Sequence, residues 1–96
     1  MEQTNKPWVV NATEATNRTC DTIYHEYKDV IATFNEKIIN AGSKKKNFVI
    51  YKTDNETTSL DLHYFYVCLG YKVELDEIPE YKDGIEYTIY KLKIMW

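Results

Sequence analysis

The chain has 96 residues, with 12 basic and 15 acidic side chains, a net charge of −3 and 44% hydrophobic residues. That is one domain, residues 1–96, with a core that buries roughly 60–70% of the unfolded surface. The acid excess argues against non-specific binding to duplex nucleic acid, which relies on basic surface to displace counterions. No apolar run approaches the ~20 residues of a membrane span, so no membrane partner is expected.

Met1-Glu2-Gln3-Thr4-Asn5 lacks the basic and apolar regions of a signal peptide, and cysteine occurs only at Cys20 and Cys68. Both thiols are therefore expected reduced, in the cytoplasm. Residues 1–9 read as an N-terminal arm ending in Pro7-Trp8-Val9. Asn11 to Glu14 then fits a helix start with a capping residue. Ile23, Tyr27, Val30, Ile31, Phe34, Ile38 and Ala41 recur at helical spacing, which predicts one long amphipathic helix stopped by Gly42. Lys44, Lys45 and Lys46 follow, where positive charge suits the helix dipole.

Residues 47–52 are β-branched and aromatic and predict a strand. A polar loop leads to a second, almost wholly apolar helix over about 59–69, ended by Gly70. Tyr71, Val73 and Leu75 alternate with Lys72, Glu74 and Asp76, so a half-buried strand follows. Residues 77–84, with Pro79 and Asp83-Gly84, read as an acidic loop, and 85–96 as a long last strand. In that strand Ile85, Tyr87 and Ile89 share one face while Tyr90, Leu92, Ile94 and Trp96 share the other. A β-bulge, or burial of each face in a different region, explains the switch. The expected fold is α+β, a two-layer sandwich in the order α-β-α-β-β. Its three-stranded mixed sheet carries two helices on one face and a parallel strand–helix–strand crossover. The large residues on the other face call for a cover, which another subunit, the N-terminal arm or a ligand could supply; a homo-oligomer, most simply a dimer, is expected.

The chemistry-bearing residues are sparse. Cys20 with His25, and His63 with Cys68, each stand five apart, so their side chains diverge by about 140° on a helix and suit no metal. Three glycines leave no phosphate-cradling glycine loop. No cofactor and no catalytic group are expected. What stands out is nine tyrosines, two tryptophans and three phenylalanines. Tyrosine has an apolar ring and a hydrogen-bonding tip, which suits contact surfaces. Arg18, the only arginine, suits a phosphate contact. The expected ligand-binding set is Trp8, Thr13, Arg18, Tyr24 and Tyr90: aromatics to stack on bases, with Thr13 and Arg18 near the helix start.

Four stretches carry a resemblance: Val10-Asn11-Ala12-Thr13-Glu14-Ala15, Ala41-Gly42, Leu69-Gly70-Tyr71-Lys72-Val73 and Ile94-Met95-Trp96. Over about residues 8–96 the chain resembles a family of small phage proteins, the anti-CBASS sponges. It departs from that pattern at Asn11 and Thr13, where threonine and glutamate are commoner. The resemblance implies a phage anti-defence protein in the cytoplasm of the infected host. Such a protein sequesters a cyclic dinucleotide signal, notably 3′3′-cyclic GMP–AMP, without cleaving it. A direct inhibitor of a host protein and a small virion or assembly protein are the alternatives.

Overall fold

A computed structural model of the protein describes residues 11–96. In chain order the elements are α1 (Ala12–Glu26), α2 (Lys28–Ser43), β1 (Phe48–Thr53), α3 (Glu56–Cys68), β2 (Lys72–Lys82) and β3 (Ile85–Met95). The α+β class stands, with one helix more than the sequence suggests.

The extra helix arises at Tyr27. Its N–H still reaches the Ile23 carbonyl and its own carbonyl accepts from Ile31, but its backbone (φ −114°, ψ 29°) leaves the helical region. The expected long helix is thus kinked, with neither proline nor glycine at the kink. The Tyr27 hydroxyl donates to the Asp61 carboxylate on α3 at 2.8 Å. Tertiary contact explains the bend: α1 packs on α3 whereas α2 packs on β1, and one straight rod does not serve both. Asn11 caps α1, its side chain accepting from the Glu14 N–H at 2.8 Å.

Helix α2 runs through Gly42 and ends in a Schellman motif one turn later. Lys46 N–H bonds the Ala41 carbonyl, Lys45 N–H bonds the Gly42 carbonyl, and the left-handed residue is Lys45, at φ 60°. Helix α3 ends the same way, with glycine in that place. Gly70 lies at φ 95°, Tyr71 N–H bonds the Tyr66 carbonyl, and the two rings meet edge-on at 5.6 Å. The start of α3 lies three residues earlier than the apolar run suggests, because the Asn55 side chain accepts from the Thr58 N–H.

The sheet order is β1-β3-β2 and both pairings are antiparallel. The expected mixed sheet is corrected here. β3 inserts between β1 and β2, so the strands flanking α3 run parallel without touching. β2 also extends through the expected loop to Lys82. Asp83 (φ 54°) and Gly84 (φ 78°) form a two-residue turn with both central residues left-handed, the type I′ geometry that matches strand twist. Such a turn closes on a hydrogen-bonded pair, Lys82–Ile85, and pairs alternate from there. Pro79, opposite Thr88, therefore occupies a non-bonded position on an edge strand, where its missing N–H costs the ladder nothing.

The register is continuous along β3, so there is no bulge. Val49, Leu92 and Ile94 lie under the helices with Ile31, Phe34, Leu62, Phe65 and Tyr66 and form the core. Cys68 is exposed, although the apolar run of α3 on which it lies would place it inside. The change of phase in β3 reflects an overhang. β1 pairs only with residues 90–95, so beyond Tyr90 the β2–β3 hairpin projects alone. There Ile85, Tyr87 and Ile89 share the face turned away from the helices. The Cα radius of gyration is 16.9 Å, against about 12–13 Å for a compact chain of this length. No described helix is long and apolar enough to cross a membrane.

Candidate functional site

Of the five residues expected to bind ligand, the four that are described, Thr13, Arg18, Tyr24 and Tyr90, do not converge. Trp8 lies outside the described residues. Thr13 and Arg18 are exposed on the first turns of α1. α1 runs antiparallel to α3, with Cys20 beside Cys68, Tyr24 against Phe65 and Tyr27 bonded to Asp61. Thr13 and Arg18 therefore lie on turns that extend past the end of α3. Tyr24 is 41% exposed and stacks on Phe65 at 6.5 Å. Tyr90 sits at the other end of α3, its hydroxyl donating to Glu56 at 3.3 Å. Burial, then the Glu56 carboxylate, raise the Tyr90 phenol above its ordinary range. Phe65 and Glu56 are nine residues apart, about 13 Å of helix, so Tyr24 and Tyr90 address separate surfaces.

The structure does bring together the lysines that follow α2. Lys37, Asn40 and Lys44 recur on one face of that helix. With Lys46, Phe48 and Ile50 they line a groove of about 370 Å³ between the helix end and the outer edge of β1. The Schellman turn holds Lys44 and Lys46 there by folding the chain back over the Ala41 carbonyl. Phe48 forms part of the groove wall, and Lys93 from β3 places its ammonium 4.8 Å from that ring. A smaller apolar slot of about 160 Å³, lined by Val30, Thr33, Phe34, Lys37 and Tyr51, shares Lys37 with the groove. Phe34 and Tyr51 meet there at 5.1 Å between ring centroids.

Chemically this is a basic groove beside an aromatic slot, with no acidic side chain among the residues that line either. In a chain of net charge −3 the clustering is a local inversion of sign. The alternating pattern of β1 adds backbone donors. Val49, Tyr51 and Thr53 oppose Ile94, Leu92 and Tyr90, which places the N–H groups of Phe48 and Ile50 on the outer edge. In the sequence Lys44–Lys46 reads first as charge complementing a helix end, with steering of an anionic ligand the alternative. Lys37 and Phe48 join them through packing, which no local pattern announces.

The two cysteines meet across α1 and α3. Burial, then the neighbouring Cys68 thiol, push the Cys20 thiol up to about 11. The histidines of the two spaced pairs do not join them: among the described residues, no three His, Cys, Asp or Glu side chains gather as metal ligands. A second concavity, of about 790 Å³, lies beneath the projecting hairpin. The chain matches no known protein family, no curated protein and no solved structure.

Proposed function

We propose that this protein binds and holds a small anionic ligand with a flat aromatic part, without cleaving it, and that a cyclic dinucleotide is that ligand. The observation that carries the reading is the junction at Lys37 of a lysine-lined groove with a slot walled by Phe34 and Tyr51. A purine seated on the half-buried ring of Tyr51 leaves its phosphate facing Lys37, with Lys44 and Lys46 beyond it. The groove volume falls at the small end of ligand sites, about 300–1,000 Å³, and suits one nucleotide half. The resemblance to anti-CBASS sponges supplies the ligand class and 3′3′-cyclic GMP–AMP as the first to test. Sequestration in the infected host is the role it implies.

The test is titration calorimetry with cyclic dinucleotides, with and without Lys44→Gln/Lys46→Gln. A charge-assisted bond to phosphate contributes about 1.5–3 kcal/mol, so each lost contact weakens binding on the order of 10- to 100-fold. Affinity should fall with added salt, and heating the complex should release the nucleotide intact. A linear product makes the protein a hydrolase instead. Loss of binding in Arg18→Ala, with the lysine variant unaffected, moves the site to α1. No binding to any cyclic dinucleotide removes the reading. It would promote the direct inhibitor of a host protein, which the acidic hairpin residues Glu77, Glu80, Asp83 and Glu86 favour through their exposure.

A further inference from the structure

The projecting hairpin carries an unused strand edge. In β3 the odd-numbered residues bond to β2, because the turn closes on the bonded pair Lys82–Ile85 and the pairs alternate. The even-numbered residues therefore direct their N–H and C=O groups toward the β1 side. Trp96 agrees, its N–H donating to the Asn47 carbonyl at 3.0 Å. β1 stops at Thr53, opposite Tyr90, and the chain then bends away at Asp54 into α3. Across residues 85–89 no described residue pairs with that row, which leaves the backbone groups of Glu86 and Thr88 without a strand partner among the described residues. On the face alongside, the β3 row is apolar, with Ile85 68% exposed, Tyr87 37% and Ile89 half-buried, while β2 contributes Ile78 and the exposed Glu80 and Lys82. A two-stranded ribbon of this kind is marginally stable by itself in water.

We propose that the β3 edge at residues 85–89 pairs with the same edge of a second copy of this chain, antiparallel about a two-fold axis at Tyr87. The register follows from the geometry. Only a dyad at Tyr87 places Glu86 opposite Thr88 of the second copy, both with bonding groups turned inward, and uses all five free positions. It sets Tyr87 beside Tyr87 of the second copy, and Ile85 beside Ile89 of the second copy, on the same face. A dyad at Glu86 also satisfies the backbone but places two glutamates directly opposite, which is unfavourable. The concavity of about 790 Å³ lies over this same face, lined by Ile78, Glu80 and Lys82 of β2 and Ile85, Tyr87 and Ile89 of β3, and it reaches Thr53 and Asp54 where β1 ends. Two hairpins then make a four-stranded ribbon with a continuous Ile–Tyr stripe.

Other occupants and edges fit less well. The ten residues before Asn11 reach at most about 36 Å when extended. Their starting point lies about 31 Å from Glu56 along the paired axes of α1 and α3, counted as 16 residues of α1 to Tyr27 and five of α3 from Asp61, so only a nearly extended segment comes near the hairpin. The outer edge of β2 is interrupted by Pro79. Pairing through the outer edge of β1 brings the Lys37, Lys44 and Lys46 clusters of two copies together. This inference is independent of the ligand reading, since the groove and the hairpin edge share no residue.

Light scattering on the full chain should give twice 11.4 kDa at tens of micromolar. Thr88→Pro removes one N–H from the free edge and none from the β2 ladder, so it should return the mass to that of a monomer with the circular dichroism unchanged. A second arm covers loss of folding in that variant. In a Cys20→Ser/Cys68→Ser chain, Tyr87→Cys places two thiols opposite each other in a non-bonded pair, with Cα atoms about 4.5 Å apart, within disulfide range. Oxidised glutathione should convert it to a covalent dimer, two thiols and one glutathione disulfide giving one inter-chain disulfide and two reduced glutathiones. Tyr81→Cys, on the far strand, should cross-link far more slowly. A monomer at hundreds of micromolar overturns the proposal. So does equal cross-linking at the two positions, or a folded Thr88→Pro chain that stays dimeric.

Discussion

Tyr66 offers the sharpest test of the core. It is 1% exposed, and its ring meets Phe34, Phe65 and Tyr71 edge-on at 5.2, 5.3 and 5.6 Å. Yet its hydroxyl has no hydrogen-bond partner among the described residues. A buried polar group left unpaired costs about 1–3 kcal/mol of desolvation. Tyr66→Phe keeps every ring contact and deletes that group. The void left by one oxygen, roughly 20 Å³, costs about 0.5 kcal/mol at ~24 cal/mol per Å³. The variant should therefore be more stable, by about 1 kcal/mol, which raises the melting temperature by roughly 4–8 °C. Alkali gives a second readout. Burial, then proximity to the Tyr71 hydroxyl, raise the Tyr66 phenol above its ordinary value of 10.0. Below that value both states are protonated and pH has no effect. Above it the unfolded phenol ionises while the folded one does not, so stability falls as pH rises, by up to about 1.4 kcal/mol per pH unit. Thermal melts of both proteins between neutral pH and pH ~11 should show the variant's advantage widening above pH ~10. Destabilisation by 1 kcal/mol or more at neutral pH refutes the reasoning and shows that the hydroxyl has a partner.

Two further outcomes follow from local geometry. Lys45→Gly relieves a left-handed residue at φ 60° in a Schellman position and should stabilise the fold by about 1 kcal/mol in urea titration; an unchanged or lowered midpoint contradicts it. Iodoacetamide at neutral pH should label exposed Cys68 well before Cys20, whose thiol is pushed up to about 11 and is half-buried, with peptide mass spectrometry reading the order; equal rates contradict the assignment.

Much of this fold is legible in short stretches of sequence, because the forces concerned are local. Asn11 caps α1 through an amide three residues away, Gly70 supplies the left-handed end of α3, and the alternation at 71–75 sets a half-buried strand. Asp83-Gly84 marks the hairpin turn for the same reason: two successive left-handed residues favour that pair. The features that reading missed are those decided by partners distant in the chain. Tyr27 kinks a helix whose apolar spacing is unbroken, because α1 and α2 pack on different elements. Pro79 looks like a loop residue until pairing shows it at a non-bonded edge position. β3 displaces the expected parallel contact because it bonds on both sides along residues 90–95. The binding surface divides the same way. Nine tyrosines announce aromatic surface, but composition cannot tell Tyr66, sealed in the core, from Tyr87, displayed on the hairpin. Lys37 and Phe48 become neighbours of Lys44 and Lys46 only once α2 lies against β1. The sequence by itself determined the class of elements, the cap at Asn11 and the stop at Gly70, since propensity and capping act within a few residues. Only the tertiary structure decided the strand order, the projecting edge and the basic groove, since each depends on which surfaces meet.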